Sequence, residues 1–240
     1  MSRKTRRNSP KPAEPQPEKK VALGASLRHK GFLAAFGVAL LILLAAGVLI
    51  YKNEQKGQQA PGTEAAALAS SHSPTLGNAD APVHVVEFLD PACETCALFF
   101  PIVKEQMARN PGKIRLSVRH VAFHEGSEYP VRVLEASRMQ DKYWQTLEAL
   151  LGSQSAWAPN HSVRPELVLQ ALSRVGLNTE QLMADMNSPE VARRMQQDRS
   201  DAAALKVTAT PEYFVNGRPL PSFGEDQLVG LIGEELRRAQ

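Results

Sequence analysis

The middle of the chain shows a strand–helix–strand pattern of hydrophobic positions. Val83–Leu89 is rich in β-branched and apolar residues, and Ile114–Val121 alternates as a second strand would. Between them, Ala97–Met107 has the apolar spacing of a helix that runs to about Arg109 and that Asn110-Pro111-Gly112 would end. Two strands joined by a helix predict a βαβ unit with a parallel sheet.

The following block has helical periodicity. Apolar residues recur at helical spacing in Tyr129–Leu151 and Arg164–Val175, and shorter helices are predicted near Thr179–Met186 and Pro189–Leu205. Their Trp, Met and Leu stripes are typical of a packed core rather than of a cofactor site.

Strand character returns near the carboxyl terminus. Glu212–Val215 is followed by Asn216-Gly217, the strongest short signal for a hairpin. The return strand, beginning with Pro219-Leu220-Pro221, must be short or at an edge because proline donates no ladder hydrogen bond. Glu225–Arg238 predicts a terminal amphipathic helix.

The first 75 residues differ in composition from the rest. Residues 1–30 hold nine Lys and Arg against two Asp and Glu, a charge of +7, whereas the remaining residues carry −4. This proline-rich basic stretch predicts a disordered tail, and no aromatic residue or motif in it indicates nucleic-acid binding. Residues 31–51 contain no charged residue and are long enough to span a bilayer. Residues 52–75, rich in Gln, Ala, Ser and Gly, predict a flexible linker.

The basic residues before the apolar run predict its orientation. An excess of Lys and Arg stays in the cytoplasm, so the chain after residue 51 is expected on the other side. An uncleaved signal anchor is favoured. A cleaved signal peptide is the alternative, although its apolar region is usually about 7–15 residues long.

The chain contains two cysteines, Cys93 and Cys96, at the predicted junction of strand and helix. The N–H groups and dipole at a helix start stabilise an anion, so a thiolate at Cys93 would have a lowered pKa. Cys96, one turn later, could close a small reducible disulfide. A purely structural disulfide is disfavoured because so short a loop gains little chain entropy.

A zinc site is a further alternative for the cysteines. Cys93 and Cys96 are followed, after 23 residues, by His120 and His124. The outer spacings suit a Cys2His2 site, but the middle gap is far longer than the ~12 residues of a zinc finger.

Two other positions are candidates for the same site. Glu87, on the strand that leads to Cys93, would point inward if Val85 does, and a buried carboxylate there could relay protons for Cys96. A partly exposed glutamate at a strand end fits the pattern equally well. Thr210-Pro211 precedes the late strand, and on pattern alone a trans bond is favoured.

These features together resemble one known family. Over about residues 76–240, the chain resembles the DsbA-like thioredoxin-fold oxidoreductases. The matching segments are Leu76-Gly77, Ala81-Pro82-Val83, Glu87-Phe88-Leu89-Asp90-Pro91-Ala92-Cys93-Glu94-Thr95-Cys96, Arg119-His120 and Val207-Thr208-Ala209-Thr210-Pro211-Glu212-Tyr213-Phe214-Val215-Asn216-Gly217. The resemblance implies an α/β thioredoxin fold with a helical subdomain inserted at about 127–205, here preceded by a single transmembrane helix.

The resemblance also implies roles for individual residues. Cys93 would be the exposed nucleophile and Cys96 the resolving thiol, with Glu87 as the proton-relay acid. Pro211 would be cis and face the disulfide, and the backbone of Thr210 would pair with an extended substrate segment.

The residues inside the motif depart from the family pattern. Members that act as strong oxidants commonly carry a histidine there, whereas this chain has Glu94 and Thr95 as redox-tuning residues. Because an acidic neighbour disfavours a thiolate, we predict a less depressed pKa for Cys93 and a less oxidising disulfide. His120 and His124 are interpreted as ordinary core or surface histidines.

The sequence therefore predicts a thiol–disulfide oxidoreductase anchored in a bacterial inner membrane, with its amino terminus cytoplasmic and its catalytic domain periplasmic. Its expected partners are cysteine-containing proteins, the bilayer through residues 31–51, and a membrane redox partner that recycles the cysteines. No nucleic acid, metal or cofactor beyond the redox-active disulfide is expected, and the direction of electron flow stays open.

Two other classes of function are compatible with the sequence. The first is an extracytoplasmic copper or zinc chaperone that uses Cys93, Cys96 and His120 or His124. The second is a membrane-tethered adaptor in which the disulfide is incidental.

Overall fold

The computed structural model describes residues 66–68 and 71–240. The predicted tail (1–30), the predicted anchor (31–51) and most of the predicted linker (52–75) lie outside these residues. Within the described ranges, no helix is both long and apolar enough to cross a membrane.

A mixed sheet of five strands forms the centre of the part of the chain that the structure describes. Its strands are β1 (Thr75–Leu76), β2 (Val83–Leu89), β3 (Ile114–His120), β4 (Glu212–Val215) and β5 (Arg218–Pro219). They lie in the order β1-β3-β2-β4-β5, and β2 and β3 are parallel, which confirms the predicted βαβ unit. The other neighbouring pairs are antiparallel.

Helices pack against this sheet and against one another. They are α1 (Glu94–Arg109), α2 (Glu128–Ser137), α3 (Tyr143–Gly152), α4 (Gln154–Trp157), α5 (Pro165–Ala171), α6 (Thr179–Asp185), α7 (Pro189–Ala204) and α8 (Glu225–Arg238), with 3₁₀ turns at Arg138–Gln140 and Pro159–His161. The segment predicted as helical over Tyr129–Leu151 is broken between α2 and α3, where Asp141 has a φ of 55°. A short polar side chain tolerates this left-handed conformation, which ends a helix.

The two faces of β2 contribute to two hydrophobic cores. Val83, Val85 and Leu89 face the larger core, which includes side chains of α1, α3 and α8. Val86 and Phe88 face a smaller core. Because β2 is covered on both sides, its sequence lacks the alternation of a half-exposed strand.

The edge strand β1 begins at Thr75, the last residue of the predicted linker 52–75. Thr75 pairs with Ser117 at the edge of the sheet, and the Pro74 carbonyl accepts a hydrogen bond from the Val118 amide, 3.1 Å away. The partners lie about 40 residues downstream, so local composition could not reveal this pairing.

The late hairpin follows its sequence signals closely. Asn216 and Gly217 have φ values of 49° and 81°, the left-handed conformation that a tight two-residue turn requires. The return strand β5 begins at Arg218, one residue earlier than predicted, and its proline lies at the edge of the sheet.

Candidate active site

The two cysteines lie where β2 gives way to α1. Cys93 is the N-cap residue of α1 and Cys96 is in its first turn. Cys96 is fully buried, whereas Cys93 keeps 4% of its surface exposed, and both are free thiols. The predicted position of the motif at a strand–helix junction is confirmed.

The surroundings lower the pKa of one thiol and raise the pKa of the other. The pKa of Cys93 is lowered to about 5, chiefly by a hydrogen bond from the Cys96 thiol, against the opposing effect of burial. The nearby Thr210 hydroxyl and the N–H groups of Cys96 and Thr95 lower it further. Burial raises the pKa of Cys96 well above its usual value, and its hydrogen bond to Cys93 and the charge of Glu87 add to this. At neutral pH the arrangement favours one thiolate next to one protonated thiol.

The residues inside the motif differ in how they act on Cys93. The Thr95 amide is among the groups that lower its pKa. Glu94 has a side chain that is 56% exposed and is not among the main causes of the shift. Solvent therefore strongly screens the Glu94 charge, which weakens the predicted effect of Glu94 on the pKa of Cys93.

Thr210 and Pro211, which directly precede β4, lie next to Cys93. The Thr210–Pro211 peptide bond is cis, as the resemblance implies and contrary to the pattern-based preference for trans. The carbonyl oxygen of Thr210 lies 3.2 Å from the Cys93 sulfur. The structure thus brings together residues that are 117 positions apart in the chain.

Glu87 is fully buried on the same face of β2 as Val85, so the inward orientation is confirmed. The strand register places Tyr213 directly opposite it. Among the described residues, neither Glu87 oxygen nor the Tyr213 hydroxyl has a hydrogen-bond partner of normal geometry. Burial raises the pKa of Glu87 to about 8; the nearby Tyr213 hydroxyl opposes this and the Cys93 charge adds to it.

Asp90, which is not among the predicted site residues, organises the loop before the cysteines. Its buried carboxylate accepts hydrogen bonds from the Ala92 amide (2.8 Å) and from the Phe123 amide (2.7 Å). It also accepts from Ser127 Oγ and from His124 Nδ1, each at 2.9 Å. The loop after β2 is thereby tied to the loop after β3. An Asp-Pro pair directly after a strand is the local signal that could have indicated such a turn.

The helical insertion also holds this loop. Gln154 Nε2 donates to the carbonyl oxygens of Pro91 (2.7 Å) and Cys93 (2.9 Å), and His161 Nδ1 lies 3.2 Å from the carbonyl oxygen of Ala92. Three successive carbonyls are therefore bound by side chains more than 60 residues away, which no local pattern could have shown.

A family model described as thioredoxin matches residues 69–234 of this sequence. The chain belongs to the thioredoxin family.

Similar proteins place it more closely within that family. "Probable disulfide bond formation protein D" of Bacillus anthracis is 30% identical over 215 residues, which cover 85% of this chain and 94% of the relative. A solved thioredoxin-like oxidoreductase from Silicibacter pomeroyi DSS-3 is 31% identical, with a TM-score of 0.63 over 73% of this chain and 98% of that one. The resemblance to the DsbA-like thioredoxin-fold oxidoreductases is confirmed.

One relative is a longer protein of a different name. The Na(+)/H(+) antiporter NhaA of Herminiimonas arsenicoxydans is 30% identical over 162 residues, 68% of this chain. The chain spans 25% of the length of that antiporter, so the transport activity in the name belongs to the longer protein.

The histidines considered as metal ligands have other partners in this thioredoxin-family domain. His120 Nδ1 lies 3.0 Å from Glu135 and its Nε2 lies 2.9 Å from the Tyr143 hydroxyl, while His124 binds Asp90. His120, Glu135 and Asp198 are close enough to hold an ion, within the part of the chain that the structure describes. Both carboxylates, however, already pair with guanidinium groups, so this cluster is already neutralised.

Proposed function

We propose that this protein is a thiol–disulfide oxidoreductase that exchanges disulfides with cysteine-containing proteins through Cys93 and Cys96. The observation that carries the proposal is that the pKa of Cys93 is lowered while that of Cys96 is raised. Cys93 also lies next to the Thr210 carbonyl. A sulfur that is stable as a thiolate attacks disulfides at neutral pH and is also a good leaving group.

The proposed direction is oxidation of the partner protein. A thiolate of the partner attacks Cys93 Sγ in the Cys93–Cys96 disulfide, the bond between the two cysteines breaks, and Cys96 leaves. A second partner thiolate then attacks the partner sulfur of the mixed disulfide, and Cys93 leaves as a thiolate. Two electrons pass from the partner dithiol to the motif, and the low pKa of Cys93 favours this reduced product.

Glu87 is proposed to supply the proton that Cys96 requires. The Cys96 thiolate formed in the first step is buried, and burial strongly disfavours its charge. A carboxyl group whose pKa is about 8 is still largely protonated at neutral pH, so it can deliver a proton and take it back. Among the described residues, neither of its oxygens has a hydrogen-bond partner of normal geometry, which leaves them accessible to this transfer.

The substrate segment is proposed to bind next to the cis peptide. The resemblance implies that the backbone of Thr210 pairs with an extended substrate, and the position of its carbonyl beside Cys93 supports this role. An attacking cysteine in such a segment would be held close to the nucleophile.

We base the proposed location and redox partner on the sequence. The uncharged run 31–51 supports an anchor that holds the domain outside the cytoplasm, where disulfides persist. Since the sequence contains no third cysteine, we propose that a membrane protein reoxidises Cys93 and Cys96.

Trapping of mixed disulfides tests the proposal. Cys96→Ala removes the resolving thiol. The Cys93 thiolate should attack an unfolded client protein whose cysteine carries a mixed disulfide with a small thiol, the client–small-thiol bond should break with release of that thiol, and the client should remain covalently attached to Cys93. Adducts would be counted on non-reducing gels, and Cys93→Ser is the matched control that should form none. Absence of adducts with Cys96→Ala, or equal amounts with Cys93→Ser, would contradict the proposed function.

A further inference from the structure

Two buried polar side chains face each other on neighbouring strands of the sheet. Glu87 of β2 and Tyr213 of β4 are directly opposite each other in the antiparallel ladder. The side chains of such a pair lie on the same face of the sheet, with Cβ atoms about 4.5–5.5 Å apart. Both residues are fully buried, and Tyr213 belongs to the same core cluster as Cys93 and Cys96. The strand register therefore brings a phenol and a carboxyl group together next to the cysteines.

The remaining neighbours of this pair are apolar. On β3, the residue in register with Glu87 is Val118, which is fully buried. Of the two residues that pair with Glu87 in the sheet, Tyr213 is therefore the polar one. Its ring packs against Phe99 of α1, with centroids 6.3 Å apart and planes inclined by 30°. The phenol ring is thereby supported from the helix that carries the cysteines.

The polar atoms of this pair are not used by the fold. Among the described residues, neither the Glu87 oxygens nor the Tyr213 hydroxyl makes a hydrogen bond of normal geometry. A buried tyrosine hydroxyl usually has a partner, so an exception calls for an explanation. Burial raises the pKa of Tyr213 well above its usual value, so the hydroxyl keeps its hydrogen and can donate it to a nearby acceptor.

The other titratable groups around Glu87 are less suited to this role. The two cysteines face it from the start of α1, and, beyond the effect of burial, a charge on them and a charge on Glu87 disfavour each other. Burial raises the pKa of Tyr143 of α3, to which the Glu87 charge adds. The Tyr143 hydroxyl, however, is bonded to His120 at 2.9 Å. Tyr213 is thus the donor that faces Glu87 without such a bond.

We propose that Tyr213 is a positioning residue for the proton transfer from Glu87 to Cys96, and that its hydroxyl donates a hydrogen bond to the Glu87 carboxylate as that carboxylate forms. The role rests on the proposed function, in which Glu87 supplies the proton. When the Cys93–Cys96 disulfide is attacked, Cys96 leaves as a thiolate and takes the proton of Glu87. The Tyr213 hydroxyl keeps its own hydrogen throughout. A hydrogen bond that forms with the developing charge accelerates the step that creates this charge.

Reduction of the disulfide form by glutathione measures this step. Glutathione thiolate attacks Cys93, Cys96 leaves, and a second glutathione gives the dithiol form and glutathione disulfide. The initial rate of disulfide loss in the full chain, measured by alkylation and mass spectrometry from about pH 6 to 9, is divided by the glutathione thiolate concentration. The variants are Tyr213→Phe, Glu87→Gln and the double variant. Tyr143→Phe, which removes another buried phenolic hydroxyl, is the matched control.

The expected loss depends on the presence of Glu87. At about pH 7, Tyr213→Phe should be reduced about fivefold more slowly than the wild type. The midpoint at which the wild-type rate declines with pH should rise by about half a unit, because the Glu87 carboxylate loses a hydrogen bond. In the Glu87→Gln background the same tyrosine substitution should change the rate by less than about 1.5-fold. Tyr143→Phe should stay within about twofold of the wild type.

Three outcomes would overturn this role of Tyr213. They are a rate and midpoint for Tyr213→Phe equal to those of the wild type, an equal loss of rate with and without Glu87, and an equal loss in Tyr143→Phe. The second would mean that the tyrosine does not act through Glu87, and the third that any buried hydroxyl matters. A wild type that glutathione does not reduce, or a Glu87→Gln variant as fast as the wild type, would instead contradict the proposed function, so the failures are distinguishable.

Discussion

Among the residues that the structure describes, two groups of buried polar side chains differ sharply in how completely they are paired. The first, here called the arginine cluster, consists of Arg119, Asp198, Asp201, His120 and Glu135. Arg119 is fully buried, donates to Asp198 at 2.6 Å and also pairs with Asp201. Asp198 accepts a further hydrogen bond from the His120 amide at 2.8 Å.

The second group lies beside the cysteines and lacks hydrogen bonds of normal geometry. In the part of the chain that the structure describes, Glu87, Tyr213 and the Thr210 hydroxyl have no hydrogen-bond partner of normal geometry. Such groups are rare in folded proteins and commonly mark sites where protons or substrates move.

The contrast shows that burial alone does not decide the charge of a carboxyl group. Burial raises the pKa of Asp198, but His72, Arg119 and His120 outweigh it, and the net shift is downward. At Glu87 no cation compensates for burial, and the pKa rises to about 8. A compensated carboxylate keeps one charge state and holds the fold, whereas an uncompensated one can exchange its proton near neutral pH.

The largest expected effect comes from breaking the arginine cluster. Arg119→Met leaves Asp198 and Asp201 buried without their cation, so we expect the free energy of unfolding to fall by about 3–5 kcal/mol. Urea unfolding measures this. Arg109→Met, which breaks an exposed pair with Glu105, is the control and should cost less than about 1 kcal/mol. A similar loss of unfolding free energy in Arg119→Met and Arg109→Met would contradict a buried, charge-compensating role for Arg119.

The next effect concerns the pH dependence that Glu87 imposes. Its folded-state pKa is raised, so the folded state binds a proton more tightly than the unfolded state and stability falls as the pH rises from about 5 to 8. Relative to Glu87→Gln, the reduced wild type should lose about 1.4 kcal/mol per pH unit in this window. Urea unfolding at several pH values checks the slope, with the exposed Glu105→Gln as control. If the free energy of unfolding had the same pH dependence in the wild type and in Glu87→Gln, the raised pKa of Glu87 would be ruled out.

A pair of tyrosine variants compares the two groups directly. The Tyr143 hydroxyl is hydrogen-bonded to His120, so Tyr143→Phe should cost about 1–2 kcal/mol because a buried nitrogen loses its partner. Tyr213→Phe removes a hydroxyl without a partner of normal geometry and should change stability by less than about 0.5 kcal/mol. Thermal or urea unfolding of both variants is sufficient, and a larger loss for Tyr213→Phe would reverse the comparison.

The smallest effect is expected at Glu94. Its carboxylate is largely exposed, so Glu94→Gln should lower the pKa of Cys93 by less than about half a unit. The rate of alkylation of Cys93 as a function of pH gives this value. A decrease of a full unit or more would mean that the acidic residue inside the motif controls the acidity of the nucleophile.

The elements that the sequence predicted well carry their signals locally. β4 and α8 have the predicted bounds, Glu212–Val215 and Glu225–Arg238, and α1 ends at Arg109 before Asn110-Pro111-Gly112. Strand propensity, an Asn-Gly turn and helical periodicity each act over a few residues, which explains this agreement. The position of the cysteines at the helix start follows from the same signals.

The remaining features depend on contacts that are distant in the chain. Glu87 had two equally good interpretations, because a strand covered on both faces shows no alternation by which to orient it. The edge strand at Thr75 depends on Ser117, and the support of the cysteine loop depends on Gln154 and His161. Neither kind of contact leaves a periodic trace in the sequence.

The proposed exchange depends above all on the acidity of Cys93, which can be measured in the reduced protein. The ultraviolet absorbance of the Cys93 thiolate should be followed in the reduced protein as the pH is raised, with Cys93→Ser as the blank. We expect a titration with a midpoint near pH 5. A midpoint at the ordinary thiol value, about 8.5, would contradict it.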